Sequence, residues 1–208
     1  MAAPSFFPEF VPSEDHDDEE PPFQVADWYG PPHGVRAGVA DLGVELARSE
    51  STVVSVQGAE AYPSGVVLDL AVHVRERGRE ARRRLFAALD LHHGRGQLDL
   101  CLGAGGLRWG VELADGRRVT TLDESPWNER PEDADPSEWN PSHPVLDGVG
   151  RSQVWYDSWR RGIWLWPLPP PPAMRVVCAW PDRGIAETSV EVPVTTLHEA
   201  AARARPVW

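Results

Sequence analysis

At 208 residues the chain has room for one domain of ordinary size, because division into several cores becomes usual only beyond about 250 residues. Its formal net charge of -12 argues against general binding to nucleic acid or anionic lipid, since a polyanion attracts basic surfaces. Hydrophobic residues at 41% and charged residues at 25% lie near the globular average, which excludes a wholly disordered chain.

All 20 basic residues are arginine. With the abundance of Ala, Gly, Pro and Val, this reads as the signature of a GC-rich genome before it reads as selection for phosphate or carboxylate recognition. The first 32 residues hold seven prolines and the run "EDHDDEE", in which six of seven residues are acidic. Such a segment buries too little apolar area to offset the entropy of ordering it, so residues 1–32 are predicted to form an acidic, flexible arm. Phe6, Phe7, Phe10, Trp28 and Tyr29 flank the acidic run and become candidate partner-binding residues. The arm lacks a basic n-region and a long apolar segment, and no stretch of the chain approaches the roughly 18 apolar residues of a membrane span. A cytoplasmic protein follows as the expectation.

Residues 33–208 read as one domain. From about 41 to 77 the pattern has period two. In "VVLDLAVHV", Val66, Leu68, Leu70, Val72 and Val74 share one face, and the turn "YPSG" before it predicts an antiparallel hairpin. "GREARRRLFAALDLHH" at 78–93 predicts a helix burying Leu85, Phe86 and Leu89. Asp115 and Gly116 sit between two alternating segments, as a tight hairpin turn requires. Residues 123–150 carry eight acidic residues against one arginine, with five prolines and little apolar periodicity, and are predicted to be a long acidic loop. Its Trp127 and Trp139 are further candidate binding residues.

After the loop, "SQVWYDSW", "GIWLW", "MRVVCAW" and "TSVEV" read as four short strands, with "PLPPPP" as a stiff polyproline II connection between two of them. "TTLHEAAARA" predicts a C-terminal helix, capped by Thr195 or Thr196 with Glu199 at capping-box distance, and ended by Pro206. Seven to nine short strands and two modest helices predict a mainly β chain, an antiparallel, immunoglobulin-like sandwich with one mid-chain and one C-terminal helix.

Chemistry is sparse. Cys101 and Cys178 are far apart, each among apolar neighbours, and form neither a CxxC pair nor a disulfide framework. The seven histidines show no HxH, HExxH or HxxxH spacing, so no metal ligand is assigned. "GAGG" at 103–106 lacks the Lys-Ser or Lys-Thr of a phosphate loop, and no nucleophile motif occurs, so neither a cofactor nor a catalytic residue is assigned. The favoured function is a non-catalytic module that binds another protein, one with a basic surface, through acidic, aromatic extensions. The alternative is a small-ligand binder or enzyme with a pocket lined by Trp109, Trp155 and Trp159. A homo-oligomer is a third option; nucleic acid and membrane are not expected partners.

The segments "LRWGVELADGRR", "WLWPLPPPP" and "CAWPDRGI", followed by the alanine-rich C-terminal helix, resemble uncharacterised proteins of high-GC actinobacteria over roughly residues 40–208. The resemblance implies a bacterial, cytoplasmic origin and assigns no activity.

Overall fold

A computed structural model describes residues 26–89, 105–135 and 137–208. Eleven strands and two α-helices are present among them. β1 (Val35–Arg36) leads into three long strands, β2 (Gly38–Arg48), β3 (Thr52–Ala61) and β4 (Val66–Val74). After α1 (Arg79–Leu89) come β5 (Arg108–Glu112), β6 (Arg118–Thr120), β7 (Val145–Val154), β8 (Ser158–Trp166), β9 (Ala173–Trp180) and β10 (Ile185–Pro193). α2 (Thr195–Ala201) and β11 (Arg205–Pro206) complete the order.

The strands form a five-stranded sheet in the order β2-β3-β4-β8-β7 and a four-stranded sheet in the order β10-β9-β5-β6, with β1 and β11 as a two-stranded ribbon. Every pairing is antiparallel. The two larger sheets share one apolar core. Leu68, Leu70, Val72, Trp159 and Ile163 contribute to it from the first, and Trp109, Val111, Val176, Cys178 and Trp180 from the second. This is a mainly β, sandwich-like arrangement with one mid-chain and one C-terminal helix.

The period-two reading of β4 holds for its inner face, and on the outer face Ala71 is buried as well. Val66, Leu68, Leu70, Val72 and Val74 are all buried, while Val67 and Asp69 on the opposite face are half-buried and His73 is exposed. Gly65 of the "YPSG" turn has a different use from the one its turn position suggests. A Cβ there would lie 2.6 Å from the Trp164 ring, so the glycine is needed for close approach of an aromatic and not for an unusual backbone angle. Gly116, with φ +85, does serve the tight turn between β5 and β6.

Several predicted details are corrected. The final stretch of the acidic loop is strand: β7 begins at Val145, and the chain reverses inside "SQVWYDSW", where the Trp155 amide donates to the Ser158 carbonyl at 2.8 Å. The two glycines and the aspartate of "VLDGVG" dilute the apolar alternation that would have announced the strand. α2 starts without its predicted side-chain cap. Val194 occupies the N-cap position, and its carbonyl accepts from Leu197 and His198, while the helix closes at Ala202, short of Pro206. α1 is described over Arg79–Leu89, with Ala81, Leu85 and Leu89 buried along one face, and residues 90–93 of the predicted helix and the Phe86 side chain lie outside what is described.

The proline-rich segment joins β8 in one sheet to β9 in the other, and its Trp166–Pro167 and Pro171–Pro172 bonds are cis. Leu168 packs on the core and its amide donates to the Ser64 carbonyl at 3.0 Å. His198 of α2 makes a 2.8 Å hydrogen bond to the Pro169 carbonyl. These contacts use the segment as a structural connection.

Candidate functional site

The sequence-selected aromatics fall into two groups. Phe6, Phe7 and Phe10 lie outside the described residues. Trp28, Tyr29, Trp127 and Trp139 meet in one cluster, together with Val145 and Trp166. Trp28 stands at its centre, only 2% exposed, edge-on to Trp127 at 4.9 Å and to Trp139 at 5.4 Å between ring centroids. Such edge-to-face pairs add to the gain from burial because ring edges are electropositive and faces electronegative.

Indole hydrogen bonds stitch the cluster. Trp164 Nε1–H donates to the Trp28 carbonyl at 3.1 Å, and Trp28 Nε1–H donates to the Trp139 carbonyl at 2.7 Å, tying residues 26–29 and the acidic loop to β8. The Arg130 guanidinium lies 5.8 Å from the Trp127 ring centroid. His143 closes the loop, with Nε2 at 2.9 Å from both Glu129 carboxylate oxygens and Nδ1 at 2.9 Å from the Pro144 carbonyl. Partial burial disfavours the imidazolium, but the Pro144 and Glu129 hydrogen bonds and the charges of Glu129 and Asp123 outweigh it and raise the His143 pKa. A partner engaging Trp28, Tyr29, Trp127 and Trp139 together has to open this cluster.

The three tryptophans named for a pocket stand in different surroundings. Trp109 and Trp159 are 2% and 0% exposed in the core between the sheets, whereas Trp155 is 65% exposed on the β7–β8 turn. Large apolar groups on the inner faces of two opposed sheets pack closely against one another, which is where the Trp109 and Trp159 indoles lie.

Concavity occurs instead on the outer face of the five-stranded sheet. A groove of about 380 Å³ is lined by Val39, Gly58, Glu60, Val67, Asp69, Gln153, Arg160, Arg161 and Gly162, with Ala40 and Ala59. The pairing register explains its depth. Asp69 faces Gly162 across β4 and β8, so the floor beside the carboxylate has no side chain. A Cβ on Gly162 would lie 2.9 Å from Val67 Cγ1 and 3.1 Å from Val149 Cγ2. Register shifts between Asp41 and Val44, between Val56 and Ala59, and between Val149 and Gln153 interrupt the ladders around the groove. Bulges of this kind bend strands and concentrate beside binding and active sites.

Arg160 Nη2–H donates to Asp69 Oδ2 at 2.6 Å in the groove. Both side chains keep about 40% of their surface in water, so solvent screens the pair and its contribution to folding is small. Glu60 of the groove has Tyr62 beside it, with Tyr62 Oη donating at 3.5 Å to Glu60 Oε2; burial, then the Glu60 charge, raises the phenol pKa. Sequence reasoning passed over Glu60, Gln153 and Arg160. The available signal was Asp69 itself, an aspartate in the middle of a nine-residue apolar strand, a residue type depleted in strands.

A second concavity of about 400 Å³ lies on the outer face of the other sheet. Its central carboxylate, Glu112, is already shared by Arg175 and Arg118; the Arg175 hydrogen bond is the largest cause holding its carboxyl below the usual range. Cys178 lies beneath that sheet, its thiol pushed up to about 12 by burial, and supplies no nucleophile. Among the described residues no group of three or more His, Cys, Asp or Glu converges on a metal position, and no helix is long and apolar enough to cross a membrane.

No protein-family model, curated protein or solved structure matches this chain.

Proposed function

We propose that the protein is a small-ligand-binding module whose site is the outer groove of the five-stranded sheet, and that its ligand is a neutral, hydroxyl-rich molecule. The observation that carries this reading is the Asp69–Arg160 pair standing half-exposed over a glycine floor in a groove of about 380 Å³. Mid-sheet ion pairs of this exposure stabilise a fold little, so the pair is chemically available to a ligand. Asp69 and Glu60 accept hydrogen bonds, the guanidinium donates in a planar fork, and Gln153 does both, a set that matches vicinal hydroxyls. Asp69 is balanced by Arg160, which disfavours a strongly charged ligand, and Val39 and Val67 offer apolar contact to C–H faces. None of the lining residues is a Ser, Thr, Cys or His, so no hydroxyl, thiol or imidazole chemistry is assigned to the groove and it is read as a binding site. The volume falls in the usual range for small-molecule sites, while the open shape buries only part of a ligand and favours modest affinity.

Calorimetric or NMR titration of the full chain with a panel of sugars and polyols tests this. Saturable binding that weakens at least about tenfold in Asp69→Asn and in Arg160→Gln is the expected result, equivalent to about 1.4 kcal/mol. Absence of saturable binding across the panel, or binding indifferent to both substitutions, removes the reading.

A further inference from the structure

In an acidic molecule, one face is basic. Residues 75–84 carry six arginines against two glutamates, and Arg75, Arg77, Arg79, Arg82, Arg83 and Arg84 are all exposed. The burial of Ala81, Leu85 and Leu89 turns Arg79, Arg82 and Arg83 outward, where with Ala87 they line a shallow concavity of about 480 Å³. Glu76 pairs with Arg183 at 2.7 Å and Arg77 stands 3.7 Å from Asp157, while Arg75, Arg79, Arg82 and Arg83 have no ion-pair partner among the described residues. Asp157 belongs to the β7–β8 turn, so that turn adjoins the basic face, and it carries Trp155 and Tyr156, 65% and 62% exposed. Exposed Trp and Tyr beside Arg is the composition of energetically dominant interface residues.

The same chain displays the complementary surface. Between 123 and 138, Asp123, Glu124, Glu129, Glu132, Asp133, Asp135 and Glu138 are exposed, with Arg130 as the sole basic residue. Trp127, Trp139 and the Glu129–His143 contact hold this segment at the Trp166 end of β8. The basic face lies at the other end, where the Val74 amide donates to the Asp157 carbonyl and β8 begins at Ser158. Nine strand residues separate the two by roughly 25–30 Å, well beyond a Debye length of about 8 Å, so they do not neutralise one another within one molecule.

We infer that the basic face of α1 and the β7–β8 turn docks the acidic 123–138 segment of a second copy of this chain. The two surfaces differ, so each contact pairs a basic face with an acidic one; two copies that exchange both faces close as a two-fold dimer, and copies that share one contact at a time continue head-to-tail. Glu80 and Asp157, interspersed among the arginines, interrupt the continuous positive track that a phosphate backbone follows, whereas a segment containing Arg130 tolerates them. Self-association through this contact is expected to weaken with salt.

Sedimentation equilibrium of the full chain provides the test. At about 0.05 M salt the mass should rise with concentration to the dimer or beyond, and at about 1 M salt it should return to the monomer. Arg79→Glu/Arg82→Glu/Arg83→Glu and Glu132→Lys/Asp133→Lys/Glu138→Lys should each be monomeric with unchanged urea midpoints, and an equimolar mixture of the two should associate. Trp155→Ala with Tyr156→Ala should weaken association at least about tenfold. A monomer at every concentration, or association that survives either charge reversal, overturns the inference. Binding of oligo(dT) by a chain that remains monomeric assigns the arginine face to nucleic acid and overturns it as well.

Discussion

At the 164–166 end of β8, Trp164 is 0% exposed and donates to the Trp28 carbonyl, with Trp28 itself enclosed by Trp127 and Trp139. Across the hairpin from the other end, Trp155 and Tyr156 stand 65% and 62% exposed. The two regions draw on the same side-chain types and differ in what packs over them. Residues 26–29 and the acidic loop fold back over the first region, giving each buried indole a carbonyl acceptor, as a buried N–H donor requires. The turn at 155–157 has no such cover among the described residues. An aromatic residue is therefore structural at one end of a strand and available for contact at the other.

The largest test of this contrast is truncation at the covered end. Trp28→Ala and Trp164→Ala each remove a fully packed indole and are expected to cost about 3–5 kcal/mol in urea unfolding. A loss below about 1 kcal/mol for either would show that the cluster does not secure the loop and residues 26–29 to the sandwich.

Between the two ends lies Gly162. An added Cβ there meets Val67 and Val149 at 2.9 and 3.1 Å, so Gly162→Ala is expected to destabilise by about 1–3 kcal/mol through overpacking, and to fill the groove floor as it does so. Ligand binding lost with little change in unfolding midpoint would separate groove occlusion from strain.

A smaller effect belongs to His143. Its pKa in the folded state is raised above the ordinary 6.5, so the stabilisation it brings is fully present below that value and is lost as pH rises through the folded pKa. The gap in urea midpoint between the parent and His143→Gln should thus be largest near about pH 6 and shrink toward about pH 9. A gap that widens with pH contradicts the Glu129 contact as its source. Smallest of all, Trp155→Ser and Tyr156→Ser should each change stability by no more than about 0.5 kcal/mol, since water already covers most of both side chains.

Much of the scaffold was readable because it depends on local periodicity. Alternation alone identified the inner face of β4, and the spacing of Leu85 and Leu89 identified the buried face of α1. The first part of β7, from Val145, escaped because Gly148 and Gly150 break its pattern, and the predicted side-chain cap of α2 is absent where the Val194 carbonyl already satisfies the first amides of that helix. The groove was harder still. Asp69 and Arg160 are 91 residues apart in sequence, and their 2.6 Å contact exists only because β4 and β8 pair in a particular register.

What the sequence by itself determined is the mainly β character, the two helices, the strand faces that enter the core and the uneven charge of the 75–84 and 123–138 segments, all properties of residues near one another in the chain. The tertiary structure alone decided which tryptophans are buried, which polar residues meet in the groove, and that the acidic and basic segments stand at opposite ends of β8. Burial and contact depend on what lies opposite a side chain, and in a sandwich of crossed-over antiparallel strands the opposite residue is usually far away in sequence.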